Sequence, residues 1–252
     1  MPLPRYPMSV RPMVRYVDQE QAVIEVQVSV PTTWPDPPAV PKRRVDLFIE
    51  MHGSDGFVDE QRMPVRLREQ RGFVRFEMVQ PQRWWPAGMG EQMLYELSVT
   101  LLDGEVMLDR HCTMLGLRSV RGGEAGSGDA SLIVNGELCD IRSVVAVDLT
   151  DECKMLPVAG DSLLVVRDHY GTDVLYDAAD RAGILMVQCV PIHPQGTPEH
   201  DVAGQIARLA GHPSLAGWYV GHLGAMIDEV AAYIRGLDPT HSIFRNMPGQ
   251  VA

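Results

Sequence analysis

The apolar periodicity of this chain changes once along its length, and that change limits the fold more than any single residue does. Before residue 121, Ile24, Val26, Val28 and Val30 alternate with Glu25, Gln27 and Ser29, and Tyr95, Leu97, Val99 and Leu101 alternate with Glu96, Ser98 and Thr100. A period of two places the apolar set on one face of a half-buried strand. Val45–Glu50, Phe73–Val79 and Val106–Cys112 read the same way, with turn signals at Gly53-Ser54-Asp55-Gly56 and Asp103-Gly104. Short alternating strands broken by turns predict an antiparallel sandwich of roughly 100 residues, immunoglobulin-like in size. It is assigned to residues 1–120.

The segment Arg121-Gly122-Gly123-Glu124-Ala125-Gly126-Ser127-Gly128-Asp129 carries four glycines and no side chains able to build a core, so residues 121–130 are expected to be a linker. Over residues 131–252 the pattern becomes short unbroken apolar runs alternating with helical spacing. Val144–Val147, Leu163–Val166, Ile184–Val187, Leu215–Val220 and Ser242–Phe244 predict buried strands. Thr172 caps a helix stopped by Gly183, a second helix carries Val202, Ile206 and Leu209, and a third runs from Met226 to Leu237. Repeated strand–helix units imply a parallel sheet, here a truncated (β/α) barrel of the TIM type.

The net charge of −11 argues against a nucleic-acid surface or attraction to acidic membranes. No run reaches the roughly 18 apolar residues of a transmembrane segment, and the N-terminus Met1-Pro2-Leu3-Pro4-Arg5-Tyr6-Pro7 lacks the apolar core of a signal peptide. The four cysteines, Cys112, Cys139, Cys153 and Cys189, show neither CxxC nor disulfide-framework spacing. A cytoplasmic location with reduced thiols is expected, free or peripheral on a larger complex.

Several spaced motifs resemble glycoside hydrolase family 2, the β-galactosidase, β-mannosidase and β-glucuronidase group. Trp84-Trp85-Pro86-Ala87-Gly88-Met89-Gly90-Glu91-Gln92-Met93-Leu94-Tyr95 is similar to the family's "WWP.G.G.Q.LY" segment, and Gly116-Leu117-Arg118 to the "GfR" closing its immunoglobulin-like domain. Asn135-Gly136 resembles the "NG" hairpin before the barrel. Arg167-Asp168-His169-Tyr170, His212-Pro213-Ser214 with Trp218 and Gly221, and Leu237-Asp238-Pro239-Thr240 resemble "R.sHYP", "HPSi..W..gNE" and "lDptRp".

The resemblance implies a two-carboxylate glycosidase mechanism, in which a carboxylic acid protonates the leaving oxygen. The Asn-Glu that supplies it in the family stands here as His222-Leu223, and leucine transfers no proton. The "RG.N" of the first barrel strand is replaced by Ile141-Arg142-Ser143-Val144, and the strand bearing the nucleophile is expected to lie past the end of this sequence. The expectation is therefore a pseudoenzyme with no catalytic residue and no cofactor, acting as a docking subunit of a larger assembly. Open barrel edges and exposed apolar interior positions would be covered by another protein or a second copy. One alternative is a carbohydrate-binding cleft formed by Arg167, His169, Tyr170, His193, Trp218 and His222. The other is a metal-dependent hydrolase, with His169, His193 and His222 as zinc ligands at successive strand tips.

Overall fold

A computed structural model describes residues 8–30, 45–65, 71–122, 132–147, 162–191, 201–221 and 225–246. Seven strands form the first half: β1 (Ser9–Val17), β2 (Gln21–Ser29), β3 (Val45–Gly53), β4 (Val58–Val65), β5 (Arg71–Val79), β6 (Tyr95–Asp103) and β7 (Val106–Leu115). They make two antiparallel sheets, in the orders β1-β2-β5 and β4-β3-β6-β7. The alternating residues close one core between the sheets: Ile24, Val26 and Val28 meet Leu47, Ile49, Met51, Phe76, Tyr95, Leu97, Val99 and Leu101. Strands β1 and β4 escaped the sequence reading. Both are edge strands, and each carries a proline, Pro12 and Pro64. A missing backbone donor is tolerated at an edge, and an edge strand half in water needs no clean apolar alternation.

A small sheet follows, in the order β10-β9-β8, from β8 (Val120–Gly122), β9 (Leu132–Val134) and β10 (Glu137–Cys139). Asn135 (φ 53°) and Gly136 (φ 88°) make the left-handed two-residue turn between β9 and β10. Arg121 and Gly122, expected in the linker, are instead strand residues paired with Ile133 and Leu132; residues 123–131 lie outside the described residues.

The second half is a five-stranded parallel sheet in sequence order: β11 (Ser143–Val147), β12 (Ser162–Val166), β13 (Met186–Cys189), β14 (Leu215–Tyr219) and β15 (Ser242–Phe244). Helices α1 (Asp173–Ala182), α2 (Val202–Leu209) and α3 (Ala225–Leu237) connect the last four. Thr172 caps α1 by accepting from the Leu175 N–H, and Gly183 ends it in the left-handed region at φ 71°. One face of the sheet packs Leu164, Val166, Met186, Leu215 and Trp218 against the apolar stripes of the three helices. The opposite face was expected to stand exposed. It is covered within the chain: Leu163, Val165, Val187 and Ala216 are fully buried and share a core with Trp84, Val120, Leu132 and Val134. The small sheet and one tryptophan of the sandwich serve as the lid, which a strand-by-strand reading has no means of placing.

The two halves are joined through polar groups with defined partners. The Trp84 indole N–H donates to the Asp180 carbonyl at 2.8 Å. Asn135 accepts from the Ser119 N–H at 3.0 Å and donates to the Trp84 carbonyl at 2.9 Å. The Asp180 carboxylate accepts from the Ser214 N–H at 2.9 Å and meets His212 Nδ1 at 2.7 Å. Arg118 is buried at the N-terminal ends of β14 and β15. It donates from Nε to the Pro213 carbonyl at 2.7 Å and from Nη2 to the carbonyls of Leu215 and, at 3.4 Å, His212. Burial lowers its pKa to about 10, against the opposing pull of Asp180 and Asp238.

Close backbone approach completes the joint. The Gly183 carbonyl accepts from the Ala87 N–H at 2.8 Å, and a Cβ on Gly183 would fall 2.5 Å from that nitrogen. Arg118→Met would strand those carbonyls in a dry interface while keeping much of the side-chain volume. Loss of charged, buried hydrogen bonds of this kind costs about 3 kcal/mol, to be read as a lowered urea midpoint with the slope unchanged.

Candidate functional site

In parallel strand–helix sheets, chemistry gathers at the C-terminal ends of the strands. Here the best defined tip is the loop Arg167-Asp168-His169-Tyr170 after β12, which bends through Asp168 at φ 60°. A buried amide on the next strand holds it. Gln188 accepts at Oε1 from the Gly171 N–H (3.1 Å) and the Tyr176 hydroxyl (3.2 Å), and donates from Nε2 to the carbonyls of His169 and Cys189, both at 2.7 Å. Both lone-pair sites and both amide hydrogens are used, so this one side chain ties the loop to the next strand at several points. Sequence reading passed over Gln188; a polar residue inside the run Met186–Cys189 was the available signal.

His169 Nδ1 lies 2.6 Å from the Arg167 carbonyl. A carbonyl only accepts, so Nδ1 carries a proton.

The face opposite the helices presents a cross-strand row at these tips. Cys189 pairs with Tyr219, and Arg167 follows Val166, which pairs with Gln188. Arg167, Cys189 and Tyr219 are thus side-by-side on three neighbouring strands. Burial pushes the Cys189 thiol up to about 11, Arg167 pulling it down and Asp168 pushing it up. Such a thiol stays protonated and is not a nucleophile at neutral pH. Tyr219 is raised as well, by burial and by Cys189, with Arg167 opposing. The row offers hydrogen-bonding and aromatic surface. Neither Cys189 nor Tyr219 was expected at the site, because alternation about the sheet is visible only once the register is known.

Trp218 does not belong to the cleft. It is fully buried on the helix side, packed with the helix-facing core, and its indole N–H donates to Asp238 Oδ2 at 2.9 Å. A register shift between β13 and β14 at Met186/Val187 puts Leu215 opposite Met186 and Trp218 opposite Gln188, so Trp218 shares the face of Gln188 and Tyr219 the face of Cys189. His193, His222 and Leu223 lie outside the described residues. Of the three histidines expected at a zinc site, only His169 is described. Among the described residues the one cluster with metal-like spacing is Asp177, Asp180 and His212. Asp180 and His212 are already hydrogen-bonded to each other, and Asp180 also to Ser214.

Asp238 anchors the end of α3. Besides Trp218 it accepts from the Thr240 N–H (3.0 Å) and hydroxyl (2.7 Å) and pairs with His241 Nδ1 at 2.8 Å. Burial would raise its carboxyl, but His241, Thr240 and Trp218 outweigh burial and hold it well below the usual carboxylate range. A depressed folded-state value contributes stability that is fully present above the unfolded value, about 4, and is lost as pH falls below it. Acid unfolding of the wild type should therefore steepen below about pH 4, and Asp238→Asn should flatten that limb while lowering stability at neutral pH, as followed by circular dichroism across a pH series.

The comparisons with known proteins agree with the motifs. Residues 14–118 match the family profile described as "Glycosyl hydrolases family 2". An exo-β-D-glucosaminidase of Amycolatopsis orientalis is 28% identical over 185 residues, covering 61% of this chain and 18% of that protein. A β-mannosidase B of Aspergillus niger is 25% identical over 214 residues, covering 72% of this chain and 24% of its own length. Among solved structures, a putative β-galactosidase from Bacteroides fragilis superposes with a TM-score of 0.71 at 17% identity, over 93% of this chain and 38% of that one. The β-glucuronidase of Parabacteroides merdae gives 0.73 at 12% identity, over 93% and 34%. The chain is related to the family 2 glycosyl hydrolases, and it spans roughly a fifth of the length of the curated relatives it matches.

Proposed function

We propose that this chain is a non-catalytic, glycosidase-like unit whose parallel sheet is part of a (β/α) barrel completed by further polypeptide. The observation that carries the reading is the residue pair after β14. Gly221, at φ 88°, turns the chain at the strand tip, and His222-Leu223 follow where the family motif has Asn-Glu. A glycosidase needs a proton donor there, and an aliphatic side chain supplies none. Docking is supported by the strand order: β11 and β15 each pair on one side only among the described residues, and unpaired edges invite further strands. The partner's contribution is then mainly backbone pairing at those edges, since the apolar face is already covered from within.

The test is hydrolysis of a panel of aryl β-glycosides, including glucosaminide, mannoside, galactoside and glucuronide, by the protein purified with whatever polypeptide completes its sheet. No turnover above buffer is expected. Hydrolysis that disappears on Arg167→Ala would overturn the reading.

A second reading is favoured by the loop held by Gln188 and the row Arg167, Cys189 and Tyr219: a retained carbohydrate-binding cleft. An aromatic ring beside a guanidinium suits stacking on, and hydrogen bonding to, a sugar. A glycoside at 100 times its Kd would then add about 2.7 kcal/mol of stability, measured as a saturable rise in Tm that Tyr219→Ala removes.

A further inference from the structure

The N-terminal ends of β14 and β15, away from the strand tips, border a cavity of about 400 Å³ between the sandwich and the parallel sheet. Its walls include Arg15, Arg118, Arg121, Ser119, His241 and Ser242, and no aspartate or glutamate lines it. In a chain of net charge −11, three guanidiniums around one cavity with no carboxylate in its wall is an uncommon concentration of positive charge.

The three arginines are not equivalent. Arg15 is already paired with Glu25 on the neighbouring strand at 2.7 Å. Arg121 is exposed, and among the described residues it pairs with no carboxylate. Arg118 is more than nine-tenths buried, and its hydrogen bonds run from Nε and Nη2 to carbonyls and to His241. Among the described residues Nη1 donates to nothing, although Arg118 forms part of the cavity wall. Arg118 Nη2 lies 3.0 Å from His241 Nε2. A guanidinium only donates, so His241 accepts at Nε2 and gives its Nδ1 proton toward Asp238. Asp180 and Asp238 act on Arg118 electrostatically, and among the described residues neither makes a direct ion pair with it.

We propose that this junction cavity binds an oxyanion of the phosphate or sulfate class, gripped between Arg118 and Arg121 with the hydroxyls of Ser119 and Ser242 as additional donors. Planar guanidiniums match tetrahedral oxyanions through paired N–H donors, and the volume leaves room for a small polar body attached to the anion. Such a ligand bridges the segment that leaves the sandwich (Ser119), the small sheet (Arg121) and the α/β half (Ser242), so it also clamps them together. The proposal is independent of whether the strand-tip cleft is catalytic.

The experiment is isothermal titration of the 252-residue chain at constant ionic strength with inorganic phosphate, inorganic sulfate, glucose 6-phosphate and glucose, chloride serving as the background anion. Saturable binding of phosphate or glucose 6-phosphate, but not of glucose, is expected. Arg121→Gln should weaken it by about tenfold, since a charged hydrogen bond is worth about 1.5 kcal/mol or more. Because Arg121 is exposed, that variant keeps its Tm without ligand, whereas Arg118 variants are avoided for their structural role. Equal affinity for phosphate and glucose 6-phosphate assigns the oxyanion alone as the ligand; much tighter binding of glucose 6-phosphate assigns the remaining volume to its sugar. No saturable heat with any of the three anions, or unchanged affinity in Arg121→Gln, overturns the proposal.

Discussion

The architecture rests on a single buried guanidinium and the polar groups around it. Arg118 closes the sandwich in sequence, and in space it hydrogen-bonds the carbonyls that start β14 and the imidazole that precedes β15. Burying a positive charge is unfavourable unless hydrogen-bond acceptors meet it and negative charge lies within reach. Here the carbonyls of His212, Pro213 and Leu215 supply the first condition, and Asp180 and Asp238 the second. The same two carboxylates hold His212 and Trp218. Sandwich, helices and strand starts are thereby tied through one connected polar cluster.

That cluster separates two regions with different chemistry. At the C-terminal strand tips, Gln188 fixes a loop and the row Arg167, Cys189 and Tyr219 faces away from the helices, with its thiol held protonated. At the N-terminal ends, arginines and hydroxyls face a cavity that no carboxylate enters. Parallel strand–helix sheets gather chemistry at the first region, and nothing in the backbone plan requires a ligand at the second. The charge pattern alone argues for one there. The small sheet β8–β10 lies against the face of the parallel sheet opposite the helices and covers Leu163, Val165, Val187 and Ala216, while the row at the strand tips stays partly exposed.

Much of the fold was legible in the residues. The alternation in β2, β3, β5 and β6, the Thr172 and Gly183 caps, the Asn135-Gly136 turn and all five parallel strands stand within a residue or two of their expected places. The edge strands β1 and β4 were not legible, because water satisfies half of each and the apolar signal thins out. The candidate site was legible only in part. The Arg167–Tyr170 loop follows from its position after an apolar run, whereas Gln188, Cys189 and Tyr219 become site residues only when the sheet register sets which side chains share a face.

The sequence by itself determined that a period-two half precedes a strand–helix half, because side-chain periodicity is a local property that burial enforces element by element. It also determined that His222-Leu223 follow Gly221, since the identity of a side chain does not depend on its surroundings. Only the tertiary structure decided that Trp218 is core and Tyr219 is cleft, that the apolar face opposite the helices is sealed by Trp84 and a small sheet, and that Arg118 and Arg121 meet across a cavity. Those are facts of register and of contact between residues distant in the chain, and no local pattern encodes them.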